Sequence, residues 1–360
     1  MINFQRYRIA FISLSMILFL SCGEKKSKNS EKAAAGNRIE IVDIPAERKV
    51  EVRIDKALFT AYIYPEDVAK PVLYPLTTAS GKILTRGFPI APRPFERTDH
   101  PHHVGYWLNY GDVNGLDFWG NSQAMPEERR PFLGTILHRE ILSAESGEDT
   151  GSLTTRSEWV DAGENVLLEE TTQYIFITEG ATRVIDRLTT LKAMDQDVLF
   201  KDTKEGMLGI RVIRALELES DSPVRLTDAN GVPTDINEVN NEGVNGNYLS
   251  SEGLEGGSVW GTRARWMKLY GSVEGEPVSL TIIDHPDNVG YPTYWHARGY
   301  GLFAANPFGQ ETFSEARESL NYLLKAGESV TLKYRLLVHG GSVLSAEQLN
   351  ANADQFSTKY

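Results

Sequence analysis

Cysteine is almost missing from this sequence: Cys22 is the single one among 360 residues. No disulfide can form within one chain, so the folded part must be stabilised by its hydrophobic core. Positive charge is also scarce, because 37 Lys and Arg stand against 49 Asp and Glu and give a formal net charge of −12. A protein of this charge repels polyanions, and we expect no nucleic acid among its partners.

Long apolar runs are missing as well, apart from residues 9–20. That run is too short for a comfortable transmembrane helix, and Arg6 and Arg8 precede it as in an export signal. A small residue followed by Cys22 then resembles a bacterial lipobox, in which the cysteine is acylated. We therefore predict a lipoprotein signal peptide at residues 1–21 and lipidation at Cys22. An ordinary signal peptide that happens to contain a cysteine is the alternative interpretation.

Residues 22–38 are small, polar and charged, with nothing to bury, and are predicted to form a flexible tether. On this interpretation the chain is exported, attached to a bacterial membrane through its N-terminal lipid, and faces the periplasm or the cell surface. The folded part is expected to form a single domain over residues 39–360.

The folded region is rich in segments whose β-branched and aromatic residues partly alternate with polar ones, which is typical of strands. These segments are VEVRID, LFTAYIY, LLEETTQYIFIT, TRVIDRLTTL, VSLTIID and SVTLKYRLLVHG. We predict an all-β fold, a large antiparallel β-sandwich. A short C-terminal helix is expected after Ser345, which makes a capping box with Gln348. Residues 227–257, rich in Asn, Gly and acidic residues, are predicted to be a long loop at the mouth of the site.

The densest chemistry lies in residues 99–121, DHPHHVGYWLNYGDVNGLDFWGN. Its first five residues include three histidines, which can move protons near neutral pH or bind a metal. Its two tryptophans offer flat apolar surfaces with a polar N–H. This mixture is typical of a sugar site. The alternative is that the aromatic residues fill a core while Asp, Asn and Gly residues make turns.

Two further segments carry the same kinds of residue. The first, residues 201–211, places Lys204, Glu205 and Arg211 in an apolar setting, where a carboxylate can act as an acid or a base. The second, residues 284–301, combines His, Trp, Tyr, Arg and Asn. This second segment and residues 99–121 are expected to line opposite walls of one cleft.

These residues divide by chemistry into two groups. The proton-transfer candidates are His102, His103, Glu205 and His296. The candidates for contact with a sugar are Trp107, Asp112, Asn114, Trp119, Lys204, Arg211, Trp295, Arg298 and Asn306. Basic residues at 263, 265 and 268 either meet an acidic sugar or pair with acidic residues of the chain. His138 and His339 lie in plain strand contexts and are predicted to be structural.

A metal-binding alternative rests on His100 and His102, which would point the same way along an extended segment. A divalent ion such as zinc or iron then needs another ligand, for which His296 and Glu205 are the candidates. Nothing in the spacing requires a metal. Acid–base work by His and Glu is therefore preferred, and no cofactor is assigned.

Four motifs together resemble the PmoA-type family of secreted bacterial proteins of unassigned function: DHPHHVGYWLNYGDVNGLDFW, DTKEGMLGIRV, VWGTRARW and DHPDNVGYPTYWHARGYGLFAANPFG. The family name suggests a subunit of a membrane methane oxygenase, but the sequence after the signal shows no spanning run, so methane oxidation is rejected. More distantly, the strand pattern with its HPHH segment is similar to the galactose mutarotase-like β-supersandwich. That fold is shared by sugar epimerases, lyases and accessory domains of glycoside hydrolases, so the resemblance implies a carbohydrate substrate or ligand.

Three hypotheses for the function remain. The preferred one is a lipid-anchored carbohydrate-active enzyme, a hydrolase, lyase or epimerase, that works on glycans by His and Glu acid–base chemistry. The alternatives are a non-catalytic lipoprotein that captures a sugar and a metalloenzyme with histidine ligands. The histidine cluster favours an enzyme over a sugar-binding protein, because a binder seldom needs so many titratable groups.

Overall fold

Twenty β-strands, all paired antiparallel, form the framework of residues 39–360. The structure is a computed structural model that describes residues 39–360. In chain order the strands are β1 (Ile39–Ile44), β2 (Lys49–Ile54), β3 (Ala57–Ile63), β4 (Val72–Leu73), β5 (Tyr106–Tyr110), β6 (Thr135–Glu145), β7 (Thr150–Val160), β8 (Val166–Glu179), β9 (Thr182–Ala193), β10 (Val198–Phe200), β11 (Gly206–Arg211), β12 (Val224–Thr227), β13 (Pro233–Glu238), β14 (Asn247–Ser250), β15 (Trp266–Val273), β16 (Glu276–Asp284), β17 (Tyr294–Ala297), β18 (Leu302–Asn306), β19 (Tyr322–Leu324) and β20 (Ser329–Gly340).

The strands form two eight-stranded sheets. The first sheet has the order β1-β2-β3-β4-β5-β11-β18-β17, and the second has the order β14-β15-β16-β20-β9-β8-β7-β6. The main core lies between the two sheets: Phe59 of β3 meets Phe176 of β8 edge-on, with ring centroids 6.4 Å apart. Two smaller pairs, β10 with β19 and β12 with β13, lie outside these sheets. The predicted all-β fold, a large antiparallel β-sandwich, is confirmed.

The expected C-terminal helix is α2 (Ala346–Ser357), and its capping box is present. The Ser345 hydroxyl accepts a hydrogen bond from the Gln348 backbone N–H, and the Gln348 side chain accepts one from the Ser345 backbone N–H. The apolar face of α2 packs on the second sheet, on the side away from the main core. The other helices are α1 (Gln310–Phe313) and 3-10 turns at Pro45–Glu47, Glu127–Phe132, Arg214–Leu216 and Gly256–Val259.

The segment predicted to be one long loop, residues 227–257, is not structureless. It contains β13 and β14, and a tight turn joins β12 to β13. The Asp228 carboxylate accepts the backbone N–H groups of Asn230 and Val232 in that turn. The Asn, Gly and acidic residues thus serve the turns between short strands, which is why their density suggested a loop.

No helix within residues 39–360 is long and apolar enough to cross a bilayer. The predicted signal peptide, the tether and Cys22 lie outside the described residues.

Candidate functional site

The candidate site lies on the outer face of the first sheet, the face that points away from the main core. Four cross-strand partners lie on this face, one on each of the neighbouring strands β5, β11, β18 and β17. Gly209 pairs with Trp107 on one side and with Ala304 on the other, and Ala304 pairs with His296. Because side chains alternate along a strand, these four residues share one face and their sequence neighbours point into the core. Two histidine-containing segments that are far apart in sequence therefore meet on one surface.

Gly209 makes room for the indole of Trp107 on this face. A Cβ atom at residue 209 would lie 2.6 Å from Cζ2 of Trp107 and 2.8 Å from its Cε2. The indole therefore lies flat over the backbone of β11, where any larger side chain would displace it. Its Nε1–H donates to the Asn109 side chain, at 2.9 Å.

A set of parallel aromatic rings stands on this surface, and we call it the ring stack: His100, His103, Trp107 and Tyr300. The rings of His100 and His103 are parallel, with centroids 4.9 Å apart, and Tyr300 stacks on His100 at the same centroid distance. Trp107 lies 5.4 Å from His103 on a nearly parallel plane. The ring stack joins residues 100–107 to the loop that follows β17.

Beneath the ring stack, Asp99 forms an ion pair with two buried arginines. Its Oδ1 lies 2.5 Å from Nη2 of Arg211 and 3.0 Å from Nη1 of Arg86. Its Oδ2 lies 2.9 Å from Nδ1 of His100. Burial opposes ionisation, but the charge of Arg211, the His100 hydrogen bond and the charge of Arg86 lower the pKa of the Asp99 carboxyl well below its usual range. Asp99 is therefore a fixed negative charge that orients its neighbours.

Arg86 holds the backbone of this segment in place. Its guanidinium donates to the carbonyl oxygens of residues 97, 99, 100 and 103, at 2.7 to 3.2 Å. Burial and the neighbouring charge of Arg211 lower its pKa to about 9. Arg86 was not predicted as a site residue, because it lies outside every motif and most of its partners are backbone carbonyl oxygens.

His103 has a defined tautomer. Its Nδ1 lies 3.3 Å from Nη1 of Arg211, which can only donate, so Nδ1 accepts and Nε2 carries the hydrogen. That Nε2–H is buried and has no hydrogen-bond partner among the described residues. Burial, with the adjacent His102 and Arg211, holds the pKa of His103 well below its usual range. His103 is a neutral donor near pH 7, and its expected role in proton transfer stays a prediction.

His102 faces a different environment from His103. It lines a cavity of about 280 Å³ together with Lys70 and Phe88. Burial and the charge of Lys70 lower its pKa to about 2. The Lys70 ammonium donates to the His102 carbonyl oxygen at 2.7 Å and lies 5.3 Å from the centroid of Trp107. Burial lowers the pKa of Lys70 to about 7.

The second group of side chains, which we call the His296 cluster, comprises Lys204, Glu205, Trp260, His296 and Arg298. Nδ1 of His296 lies 2.7 Å from the Lys204 carbonyl oxygen, which can only accept, so Nδ1 carries the hydrogen and Nε2 keeps its lone pair. Burial lowers the pKa of His296 to about 4, and the charge of Glu205 acts in the opposite direction. The Glu205 carboxylate, about one third exposed, pairs with the Lys204 ammonium.

Arg298 connects the His296 cluster to the ring stack. Its guanidinium lies 5.4 Å from the ring centroid of Trp260 and 5.7 Å from that of Tyr300. Trp260 meets His296 edge-on at 6.5 Å. Trp260 and Tyr300 were not predicted as site residues, although each stands in a quoted motif beside arginines.

Trp295 was predicted to contact a sugar, but it belongs to the core. It is fully buried in the main core, and its Nε1–H donates to the Ala264 carbonyl oxygen at 3.0 Å. As the neighbour of His296 in β17 it must point to the opposite face. Trp107 and Trp119 do lie on the outer face, but both are buried in a small apolar cluster beneath the surface.

The prediction that Asn306 contacts a sugar is wrong, because its side chain is buried and bonded to the protein, whereas sugar contact by Asp112 and Asn114 stays a prediction. Asn306 is fully buried, donates to the Thr203 carbonyl oxygen and accepts two backbone N–H groups. Asp112 accepts the backbone N–H of Gly115 in a turn. Asn114 accepts the Leu199 N–H and donates to the Asp197 carbonyl oxygen. These hydrogen bonds hold turns and loops of the fold in place.

The metal alternative has little support from the arrangement. The rings of His100 and His102 are nearly perpendicular, with centroids 5.7 Å apart. Within residues 39–360, no group of three or more His, Cys, Asp or Glu side chains is placed to hold a metal ion.

These features define an all-β sandwich with a polar and aromatic site on the outside of one sheet. Residues 49–354 match DUF6807, a family of unknown function, and the chain belongs to this family. A search among curated proteins gave no match.

Solved structures that resemble this chain include carbohydrate-active enzymes. One is the GH36 α-galactosidase AgaB from Geobacillus stearothermophilus, with 11% identity and a TM-score of 0.39 over 84% of this chain and 41% of that chain. Another is a galactose mutarotase related enzyme from Lactobacillus acidophilus, with 10% identity and a TM-score of 0.29 over 84% of this chain and 98% of that chain. The chain thus spans less than half the length of the galactosidase.

Proposed function

We propose that the outer face of the first sheet binds a carbohydrate and that the protein is a carbohydrate-active enzyme using acid–base chemistry. The observation that carries this proposal is the state of His296. It is neutral at pH 7, its Nδ1–H is fixed on the Lys204 carbonyl oxygen, and its Nε2 keeps the lone pair that a proton acceptor needs.

Glu205 supplies the second titratable group of the proposed chemistry. Its charge raises the pKa of His296, so the two side chains interact electrostatically. A hydrolase needs two acid–base groups that flank the bond, whereas an epimerase or a lyase can work with one base near the proton that is removed. A neutral imidazole beside a carboxylate fits each of these reactions, and the measured product distinguishes them.

Aromatic surfaces beside the two groups suit the flat apolar faces of a sugar ring. Tyr300 is half-buried at the end of the ring stack, and Trp260 is half-buried in the His296 cluster. A protein that only captures a glycan fragment would use the same surfaces. Binding without any product is therefore the outcome that would favour the capture protein.

We further propose that the protein is an exported lipoprotein, acylated at Cys22 and held on a bacterial membrane with its site facing the periplasm or the cell surface. The lipobox-like sequence around Cys22 supports this, and so does the resemblance of the motifs to the secreted PmoA-type family. Labelling of cells with an alkyne fatty acid should tag the native protein, and Cys22→Ser should abolish the tag. A tagged Cys22→Ser variant would contradict lipidation at this residue.

The enzymatic proposal is tested by mass spectrometry of products after incubation with plant and algal oligosaccharides and their oxidised keto-sugar derivatives. Isomerisation, which leaves the mass unchanged, is followed by NMR of the sugar. We expect a product from the native protein and at least a hundredfold slower reaction from His296→Gln and from Glu205→Gln. His339→Gln is the matched control, because His339 lies in β20 and bonds to Thr182 and Ser342.

Two outcomes would contradict this assignment. Unchanged turnover in both His296→Gln and Glu205→Gln would remove the two residues from the reaction. Absence of any product, with retained binding of an oligosaccharide, would assign the protein to the sugar-capture class.

A further inference from the structure

Arg298 differs from the other arginines around the site in having no acidic partner. Its side chain is exposed, and within residues 39–360 its guanidinium makes neither a hydrogen bond nor an ion pair. Arg211 pairs with Asp99. Two other basic candidates for an acidic sugar form ion pairs within the fold. Nη1 of Arg263 lies 3.1 Å from Oε2 of Glu318, and Nη1 of Arg265 lies 2.7 Å from Oδ1 of Asp354.

The backbone around Arg298 fixes the position of this free charge. Its N–H donates to the Leu302 carbonyl oxygen at 2.7 Å, and its own carbonyl accepts the Gly301 N–H at 3.0 Å. Gly301 has φ near +89°, a conformation that favours glycine. The turn thus fixes the backbone of Arg298, and its guanidinium lies against the rings of Trp260 and Tyr300.

The charge of Arg298 interacts electrostatically with His296, the proposed proton acceptor. Burial lowers the pKa of His296 and raises that of Tyr300, and in both groups the charge of Arg298 acts in the lowering direction. The neighbouring Lys204 and Glu205 pair with each other, so they cancel much of each other's charge. Arg298 therefore contributes a net positive charge to the site, although the whole chain is acidic.

A second donor without a partner lies at the same place. The Nε1–H of Trp260 is buried and has no acceptor among the described residues. The planar guanidinium offers parallel N–H groups that match the two oxygens of a carboxylate. A neutral hydroxyl could accept from the guanidinium but would leave its charge uncompensated.

We propose that Arg298 binds a carboxylate of the substrate, so that the site is selective for acidic sugars such as uronic acids. This inference rests on the proposed carbohydrate function and specifies its substrate class. Arg298 acts as a specificity residue, and the proton transfer stays with His296 and Glu205.

The test measures binding of uronic acid oligosaccharides and of their methyl esters, which keep the sugar and remove its charge. Oligomers of galacturonate, glucuronate and mannuronate serve as probes in titration calorimetry with the full chain. We expect at least one acid form to bind tenfold or more tightly than its ester, with affinity that falls as salt rises. Arg298→Gln should reduce this preference to less than twofold, and Arg298→Lys should retain part of it. Arg265→Gln, which removes an arginine paired with α2, is the matched control.

Equal binding of acid and ester by the native protein, or a preference that survives Arg298→Gln, would overturn the inference. So would the absence of binding by every acid probe. If neutral sugars are turned over without any preference for acids, this inference fails and the proposed enzymatic function stands. If acids bind through Arg298 but no product forms, the enzymatic function fails and this inference stands.

Discussion

The Asp99 carboxylate lies 2.5 Å from Nη2 of Arg211, although 112 residues separate the two along the chain. This pair joins the histidine-rich segment to the central strand β11, and the same carboxylate also contacts Arg86. Both arginines are almost fully buried. The position of the ring stack therefore depends on one carboxylate that pairs with two buried cations.

The first prediction concerns this pair. Asp99→Asn should lower the free energy of unfolding by on the order of 3 kcal/mol, because it leaves buried guanidinium charge without a partner. Urea denaturation followed by circular dichroism measures the change. Glu127→Gln is the control, since its ion pair with Arg130 is exposed and should be worth less than about 1 kcal/mol. A loss at Asp99 no larger than at Glu127 would show that the pair does not hold the site.

The second prediction concerns the contact between β11 and Trp107. Gly209→Ala should cost about 1–3 kcal/mol, because the new methyl group would overlap the indole and force it to move. Tryptophan near-UV circular dichroism should change as the ring is displaced. Gly257→Ala provides the comparison, since a Cβ atom there has no neighbour within 4 Å. Similar small effects at both positions would mean that the indole has space to adjust.

The third prediction is a pH dependence that originates in Lys70. Its pKa is about 7 in the folded protein, below the usual value of 10.5, so between these values the unfolded state holds a proton that the folded state lacks. The free energy of unfolding should therefore rise with pH from about 7 to about 10.5. Lys70→Met should flatten that rise and should stabilise the protein at pH 7 by on the order of 2 kcal/mol. An equal slope in native and variant protein would contradict a lowered pKa of Lys70 in the folded protein.

Much of the fold was predictable because local patterns determine it. The capping box at Ser345 and Gln348 defined the start of α2, and alternating β-branched residues identified long strands such as β8, β9 and β20. Residues 227–257 were harder, because Asn and Gly make tight turns between short strands as readily as they make loops.

The site was only partly predictable, because sequence does not reveal which face of a strand is buried. Trp295 and His296 are adjacent in β17 and must point to opposite faces, so only one of them can belong to a site on one face. The cross-strand register places His296 on the same face as Gly209 and Trp107, which is the outer face. The roles of Arg86, Trp260 and Tyr300 depend on contacts between distant segments, and no local spacing indicates such contacts.

The most direct test of a sugar site at the His296 cluster is side-chain ¹⁵N NMR of the seven histidines during titration with the oligosaccharide that binds most tightly. The free protein should show His296 as the neutral tautomer with its hydrogen on Nδ1, and the sugar should shift its Nε2 signal. The signals of His138, His285 and His339 should stay in place. Shifts confined to those three histidines, with His296 unaffected, would contradict a sugar site on the outer face of the first sheet.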